Sequence, residues 1–365
     1  MKPLFLLRRG SRMQRDLAER RTSPTVKRYT SVDCLKVVAM LGVIALHTKK
    51  VVAFDETRCE FVPLLINQAA RFAVPFFFGL SGFFLSCTMH KAERPAMVLW
   101  KYVWKILLIY FSWSVVYIVL PTDVEALMRH GLAKLTYWKL IAWYRHPVSC
   151  LFDSITPHLW FLPSLVMGVA IVGTLHLSGL RWAIVPVGVL FYSICLLGGA
   201  YRVVPVIGLS SHLNLAGGPF PSVLPIAVGW RLAAAKRLPS ARTGLFLAAF
   251  GLAMQVTEAA LLWLSFGTLP TRNPFLVGTQ MFAGGLLLFA LGKPDWCIHR
   301  FVAKLGRYTA GVYLSHYLFV DALNSVAVRL DSWTWHVVSP FIDYALALAL
   351  TMAMSVCCRR RAYAV

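Results

Sequence analysis

Three ionisable residues stand in or beside the first long apolar stretch of the chain. Lys36 and His47 are eleven positions apart, which is within about 20° of a whole number of α-helical turns, so both point along one face. Asp33 precedes Lys36 by three positions, and that spacing lets the two side chains pair. His47 then lies about 16 Å beyond Lys36 along the helix. The pattern predicts a polar stripe that leads from the membrane surface to an imidazole at mid-depth.

A histidine in such a place has two explanations. Neutral imidazole accepts a proton near physiological pH, so His47 could act as a general base. The alternative is an anchoring pair, Asp33 and Lys36, and a histidine whose bonds are satisfied by a neighbouring helix. The spacing alone leaves both open.

The composition of the chain is typical of a membrane protein, in which an ionisable residue within an apolar segment is a candidate functional residue. Of 365 residues, 58% are hydrophobic and 14% are charged, whereas soluble domains carry roughly 25% charged residues. The mean hydropathy is +0.65. A soluble enzyme is therefore disfavoured, and 8 cysteines are too few for a secreted disulfide scaffold of this length. We expect an all-α fold, a polytopic membrane helix bundle.

Apolar segments recur along the chain after residue 36 and predict about ten transmembrane helices, with nine or eleven as alternatives. Residues 29–358 are expected to form one membrane domain, preceded by a basic, disordered cytoplasmic arm at 1–28 and followed by a short cytoplasmic tail at 359–365. The ten segments are 37–54, 73–89, 102–120, 159–177, 182–198, 219–235, 244–264, 274–291, 308–328 and 340–358.

The charge balance orients these segments. The chain carries 37 Lys and Arg against 15 Asp and Glu. If the N-terminus is cytoplasmic, roughly seven in ten of the basic residues fall on the cytoplasmic side, as the positive-inside rule requires. We expect a multi-pass protein of the cell (inner or plasma) membrane with both termini cytoplasmic and a basic arm attracted to membrane lipids. No nucleic-acid partner is expected, because no DNA-binding motif accompanies the charge.

Three further elements contain residues capable of chemistry. Arg71 leads into a phenylalanine-rich segment that ends in Ser81-Gly-Phe. His158 and Trp160 stand at the start of another apolar segment, and Tyr313 and His316 share a helix face at i, i+3. Small-residue helix packing and an interfacial aromatic belt explain some of these residues equally well. No metal-ligand spacing is present, so no metal is expected.

Taken in order, the four elements resemble acyltransferase family 3, a family of integral membrane enzymes. Its opening motif is matched by Arg28, Asp33, Lys36 and His47, although the family often has Arg where Lys36 stands. Its Ser-Gly-Phe, His-x-Trp-Phe-Leu and late Tyr-Leu-x-His elements match residues 75–83, 158–162 and 306–316. The layout is similar to that of the stand-alone form, without an appended extracellular domain.

The resemblance implies an O-acyltransferase. Family members move a short acyl group, usually acetyl, from acyl-CoA to extracytoplasmic carbohydrate. The expected partners are thus acetyl-CoA as a co-substrate, a glycan or lipid-linked saccharide acceptor and membrane lipids, with no bound cofactor. A transporter or flippase of a lipid-linked sugar and a structural subunit of polysaccharide assembly are the rival functions.

The same reasoning assigns roles to individual residues. His47 is the expected general base or, in a variant mechanism, the carrier of a covalent acetyl group. The remaining assignments fall into three groups: Asp33 and His316 as further catalytic residues; Lys36, Lys101, Lys105 and Arg28 for the phosphates of CoA; Arg71, Ser81, His158, Trp160 and Tyr313 for the acceptor.

Overall fold

The computed structural model describes residues 29–48, 61–120, 122, 124–154, 156–327 and 333–362. All regular elements in these ranges are helical, which confirms the expected all-α bundle. The basic arm, including Arg28, lies outside the described residues, so its assigned roles stay predictions. The α-helices are α1 (Thr30–His47), α2 (Phe61–Ala70), α3 (Ala73–Lys91), α4 (Pro95–Val119), α5 (Val124–His130), α6 (Leu132–Arg145), α7 (Pro147–Asp153), α8 (Phe161–Leu177), α9 (Ile184–Gly198), α10 (Val223–Ala234), α11 (Ala241–Phe266), α12 (Val277–Gly292), α13 (Arg300–Leu305), α14 (Thr309–Ala327) and α15 (Trp333–Ala362).

Each of the ten predicted segments contains a helix, but the helices differ in length. Five helical stretches of the described chain are long and apolar enough to cross a membrane, and α8, α9, α10 and α12 are shorter. The 12 residues of α10 rise only about 18 Å, less than the ~30 Å hydrocarbon layer. Protein surrounds this short helix instead, and its Ile226, Ala227 and Trp230 side chains are buried.

The bounds of the first helix differ from the predicted 37–54. Helix α1 begins at Thr30 and ends at His47, where Thr48 turns the chain into an extended conformation. The polar residues Asp33 and Lys36 lower the local hydropathy but do not end the helix, because they pair with each other. His47 is therefore the last residue of its helix rather than a residue at mid-helix.

The connection between the third and fourth predicted segments, at about 121–157, contains further helices. It contains the three short helices α5, α6 and α7, and none of the residues of α6 is buried. The preceding connection between α1 and α3 holds one more helix, α2, which packs on α1. Hydropathy alone does not detect these elements because they are short and mostly amphipathic.

Helices α3 and α10 meet backbone to backbone. A Cβ atom added at Gly229 would lie 1.9 Å from the carbonyl oxygen of Gly79, and one at Gly82 would lie 2.2 Å from the carbonyl oxygen of Ile226. Only glycine permits so close an approach, which is a common way for membrane helices to pack. The two helices therefore pack directly against each other, with no side chain between them at these glycines.

The N-terminus of α12 is held by a carboxylate from α11. Glu258 accepts hydrogen bonds from the backbone N–H groups of Val277 (3.3 Å) and Gly278 (2.7 Å) and from the hydroxyl of Tyr201. These amides have no partner within their own helix, and the negative charge suits the positive end of the helix dipole. Glu258 thus joins α11 and α12.

Two apolar clusters form most of the core. One joins α1 to parts of α3, α12, α14 and α15, and the other joins α3 to α4, α8, α9 and α10. Tyr313 packs against both clusters. We refer to the end of the bundle at which α1 begins as the Lys36 end and to the opposite end as the His47 end.

Candidate active site

A cavity of about 420 Å³ lies between the two clusters and is lined by α1, α3, α4, α8 and α14 with the turns that precede α8 and α14. Lys36 and Arg307 line it at the Lys36 end, and His47, His158 and Tyr313 line it at the His47 end. Most of the remaining wall is apolar. The sequence motifs that are far apart along the chain therefore meet around one cavity.

Two cations stand at the Lys36 end. The Lys36 ammonium nitrogen lies 3.3 Å from Oδ1 of Asp33 and 5.8 Å from the centroid of the Phe84 ring. A Cβ at Gly306 would lie 2.4 Å from the carbonyl oxygen of Asp33, so the glycine lets the turn before α14 approach α1. That approach brings the exposed Arg307 to the same side of the cavity as Lys36.

Lys101 and Lys105 do not belong to this group. The residues of α4 that line the cavity are Tyr102, Ile106 and Ile109, whereas both lysines are exposed on an adjacent face of the helix. That face also carries the exposed side chains of Trp104 and Leu108, so it points away from the bundle. Neither lysine lines the cavity, so their expected contact with the donor stays a prediction.

Three histidines from separate segments gather at the His47 end. The ring centroid of His316 lies 5.6 Å from that of His47 and 5.0 Å from that of His158. His158 and His316 are buried, while His47 is partly exposed and lines the cavity. The structure thus joins the first, third and fourth sequence elements in one histidine cluster.

The hydrogen bonds leave several imidazole nitrogens of this cluster without a protein partner. Nδ1 of His316 lies 2.7 Å from the carbonyl oxygen of Tyr313 and must donate to it, so in the neutral ring Nε2 carries the lone pair. That Nε2 atom and both ring nitrogens of His158 are buried without a well-formed hydrogen bond to a described residue, although the backbone of Leu314 lies within reach of the His158 ring. Buried polar atoms are seldom left unpaired unless they have another task.

Tyrosine side chains hold the three rings in place. The Tyr317 ring stacks on His158 at 5.0 Å and meets His47 edge-on at 5.5 Å, and Tyr117 contacts the other edge of His158 at 4.9 Å. The hydroxyl of Tyr313 donates to the carbonyl oxygen of His158. The Tyr313 hydroxyl is thus bonded to the protein backbone, and its expected contact with an acceptor stays a prediction.

Sequence reasoning missed Arg307, Tyr117 and Tyr317. Arg307 lies within the matched Gly306–His316 element, and its position beside a helix start was the available signal. Tyr317 directly follows His316, but Tyr117 stands in an ordinary apolar segment. Only packing reveals that Tyr117 faces the histidine cluster.

Asp33 does not reach the histidines. It lies fourteen residues before His47 in the same helix, which separates the two by about 21 Å along the axis. Its described partner is Lys36, in agreement with the expected i, i+3 pair. The Asp33 carboxylate therefore stands at the opposite end of the cavity from the three imidazoles, and its role as a further catalytic residue stays a prediction.

Arg71 is fixed next to the site but does not line the cavity. Its Nε donates to Oδ1 of Asn67 at 3.1 Å, and its Nη2 donates to the carbonyl oxygen of Thr271 at 2.5 Å. It is close enough to His47 for their charges to interact. The expectation that Arg71 binds the acceptor remains a prediction.

Ser81 and Trp160 both line the cavity. The hydroxyl of Ser81 donates to the carbonyl oxygen of Phe77 at 2.9 Å in the preceding turn of its helix, so this donor is already in use. Among the described residues, no group of three His, Cys, Asp or Glu side chains is arranged to hold a metal ion.

The whole membrane domain matches one protein family. The model of acyltransferase family 3, described as an acyltransferase domain, matches residues 29–360, which is nearly the whole chain. The chain belongs to acyltransferase family 3. The resemblance inferred from the four motifs is confirmed, and with the apolar helices it makes the protein a multi-pass membrane acyltransferase in general terms.

Comparison with curated proteins adds a partial match. Over 144 residues the chain is 32% identical to an amino-acid racemase of Enterococcus faecalis. The matched part is 39% of this chain but only 18% of the racemase, so the chain spans less than a fifth of that protein. No solved structure matches the chain.

Proposed function

We propose that this acyltransferase moves an acetyl or similarly short acyl group from acyl-CoA to a hydroxyl of a surface or lipid-linked glycan, with His47 as the general base. The observation that carries the proposal is the cavity, which has two cations at one end and the histidine cluster at the other. In this proposal the Lys36 end faces the cytoplasm of a cell (inner or plasma) membrane, as the distribution of basic residues indicates.

The shape and charge of the cavity suit an acyl-CoA donor. Phosphate groups are bound well by Lys and Arg, and Lys36 and Arg307 supply both at one mouth. Along α1, Lys36 and His47 are about 16 Å apart. A donor whose charged head and thioester are joined by a long flexible arm fits this separation. The largely apolar wall between the two ends would exclude water from the arm.

The histidine cluster suits the transfer step. A neutral His47 takes the proton from the acceptor hydroxyl as its oxygen attacks the thioester carbonyl carbon. The tetrahedral intermediate then collapses, its carbon–sulfur bond breaks, and the thiolate of CoA takes up the proton from the imidazolium of His47. His316, whose Nδ1 is held by Tyr313, is placed to support His47 from behind the cavity wall.

An acetyl-histidine intermediate is the variant of this mechanism. In that case a ring nitrogen of His47 attacks the thioester and releases CoA before the acceptor hydroxyl takes the acetyl group. Rapid mixing with radiolabelled acetyl-CoA in the absence of acceptor separates the two routes. A protein-bound label that is lost in the His47→Ala variant supports the intermediate, and its absence supports direct transfer.

The test of the proposed function measures the donor and the acceptor together. Purified protein in nanodiscs receives radiolabelled acetyl-CoA and a glycan extract from membranes of the source cells. We expect thiol release and labelled glycan, and we expect His47→Ala to lower the rate by about 10²–10⁴-fold, the usual contribution of a general base. The control is His130→Ala, because His130 is exposed and lies outside the cavity.

The same assay tests the rival functions. A transporter would move the lipid-linked sugar across the membrane without releasing thiol, and an assembly subunit would keep its role when His47 is replaced. Undiminished turnover in folded His47→Ala protein contradicts the assignment of His47.

A further inference from the structure

A second cavity, of about 400 Å³, opens among the connecting segments at the His47 end. It is formed by the end of α7, the turn before α8, the segment that follows α9 and the segment before α12. Its lining includes Phe152, Ser154, Trp160, Asn214, Ala216 and Phe275. The first cavity is long and lies within the bundle, whereas this one is built from loops beside the histidine cluster.

Trp160 is the described residue that lines both cavities. Its ring is held from two sides, with the centroid of the buried Phe78 ring at 6.4 Å and that of the buried Phe275 ring at 6.1 Å. Phe78 comes from α3 and Phe275 from the segment before α12. One indole side chain thus forms the wall between the two spaces, two residues from His158.

The second cavity has a fixed wall. The hydroxyl of Ser164 in α8 donates to the carbonyl oxygen of Gly218 at 2.5 Å, and the hydroxyl of Ser222 donates to the carbonyl oxygen of Ser164 at 2.8 Å. All three residues are buried. These bonds tie the segment that contains Asn214 and Ala216 to the helix that follows Trp160, so the cavity keeps its shape relative to the histidines.

The lining of the second cavity differs in charge from that of the first. The aromatic rings supply flat apolar surface, and the side chains of Ser154 and Asn214 supply hydroxyl and amide groups. None of the described lining residues is charged, whereas Lys36 and Arg307 line the first cavity. A pocket of flat apolar rings with a few uncharged polar groups favours a neutral ligand that carries hydroxyl groups.

We propose that the second cavity binds a neutral sugar unit of the acceptor and that Trp160 separates this unit from the donor thioester. This inference rests on the proposed function, because it identifies the acceptor side of the same reaction. With Trp160 in place, the first cavity is closed to water from the loops, so acyl-CoA is not hydrolysed while it waits for an acceptor. A hydroxyl of the bound sugar would reach His47 past the edge of the indole.

Two variants test the two halves of the inference. Ala216→Phe fills the second cavity from a loop position, and Ser210→Phe is its control in the same loop because Ser210 is exposed and does not line the cavity. Trp160→Ala removes the wall. Purified proteins in nanodiscs are assayed with acetyl-CoA, alone and with the glycan extract.

We expect Ala216→Phe to raise the apparent KM for the extract at least about tenfold, which corresponds to about 1.4 kcal/mol of binding. The KM for acetyl-CoA should stay unchanged. Trp160→Ala should release thiol without acceptor at least about five times faster than the wild type, since loss of the wall admits water. Mass spectrometry of the digested product should locate the acetyl group on a neutral sugar.

The outcomes separate this inference from the proposed function. Wild-type protein that neither releases thiol nor labels the extract overturns both. Wild-type activity together with an unchanged acceptor KM in Ala216→Phe, no faster hydrolysis in Trp160→Ala, or an acetyl group found only on an acidic sugar overturns the inference alone. Trp160→Ala protein that does not fold leaves Ala216→Phe and the product analysis to decide.

Discussion

Glu258 and His158 are both polar residues of the helical bundle, but their surroundings differ in kind. The carboxylate of Glu258 accepts bonds from Tyr201 and from two backbone amides at the start of α12. Both ring nitrogens of His158 are buried without a well-formed hydrogen bond to a described residue, although the backbone of Leu314 lies within reach of the ring. An unpaired buried polar atom costs about 1–3 kcal/mol. The comparison predicts that Glu258 serves the fold and that His158 contacts a molecule in the cavity.

The largest effect that tests this comparison is expected at the histidine. His158→Phe keeps an aromatic ring against Tyr317 but removes the two unpaired nitrogens, so we expect acyl transfer to fall by about 100-fold or more without a lower Tm. The measurements are thiol release and thermal unfolding in one detergent. His130→Phe, an exposed position, is the control. A clear loss of stability in His158→Phe would mean that the ring nitrogens do support the fold.

A smaller effect is expected at Glu258, and it should lower stability rather than turnover. Glu258→Ala leaves the first amides of α12 without an acceptor, so the free energy of unfolding should fall by about 1–3 kcal/mol. The rate per folded molecule should be kept, because Glu258 does not line the cavity. Denaturation and turnover are compared with those of Glu93→Ala, whose side chain is exposed. Full stability with lost turnover would make Glu258 a site residue.

The smallest effect is expected at the Lys36 end of the cavity. Lys36 resembles Glu258 in having a protein partner and resembles His158 in lining the cavity. Lys36 has a protein partner in Asp33 and yet lines the cavity. Lys36→Ala and Arg307→Ala should each raise the apparent KM for acetyl-CoA about tenfold, since a charge-assisted bond contributes about 1.5 kcal/mol. The KM for the acceptor should not change.

The matched controls for this experiment are Lys101→Ala and Lys105→Ala, because both lysines are exposed on the outer face of α4. We expect their KM for acetyl-CoA to equal that of the wild type. An effect as large as that of Lys36→Ala would show that charge anywhere near this end of the bundle matters and that the cavity mouth has no special role.

Much of the fold could be predicted from the sequence because membrane helices form from long apolar segments, which hydropathy detects. Each of the ten segments contains a helix, since the hydrocarbon layer requires internally bonded backbone. The bounds of α1 were the clearest error. Hydropathy placed the start of α1 after Asp33 and Lys36, because both residues are polar. In the structure the two side chains pair with each other, so they can lie within the helix.

The site was predictable only where a motif named its residues. His47, His158 and His316 were found because each ends or begins a recognisable element, and the structure brings them within ring contact. The outward position of Lys101 and Lys105 has a different origin. Their place in sequence beside a predicted span is correct, but which face of α4 turns toward the cavity depends on contacts with α3 and α8 that hydropathy does not encode.

The backbone contact between α3 and α10 also determines which helix beside the cavity can move. Gly79 and Gly229 are so close that neither helix can slide or tilt against the other without collision. On the far side of the cavity, α4 exposes Trp100, Trp104 and Leu108 to its surroundings and has few buried residues. We therefore expect a bulky ligand of the cavity to enter by displacing α4 rather than α3, and its rate of entry to depend on the thickness and fluidity of the surrounding bilayer.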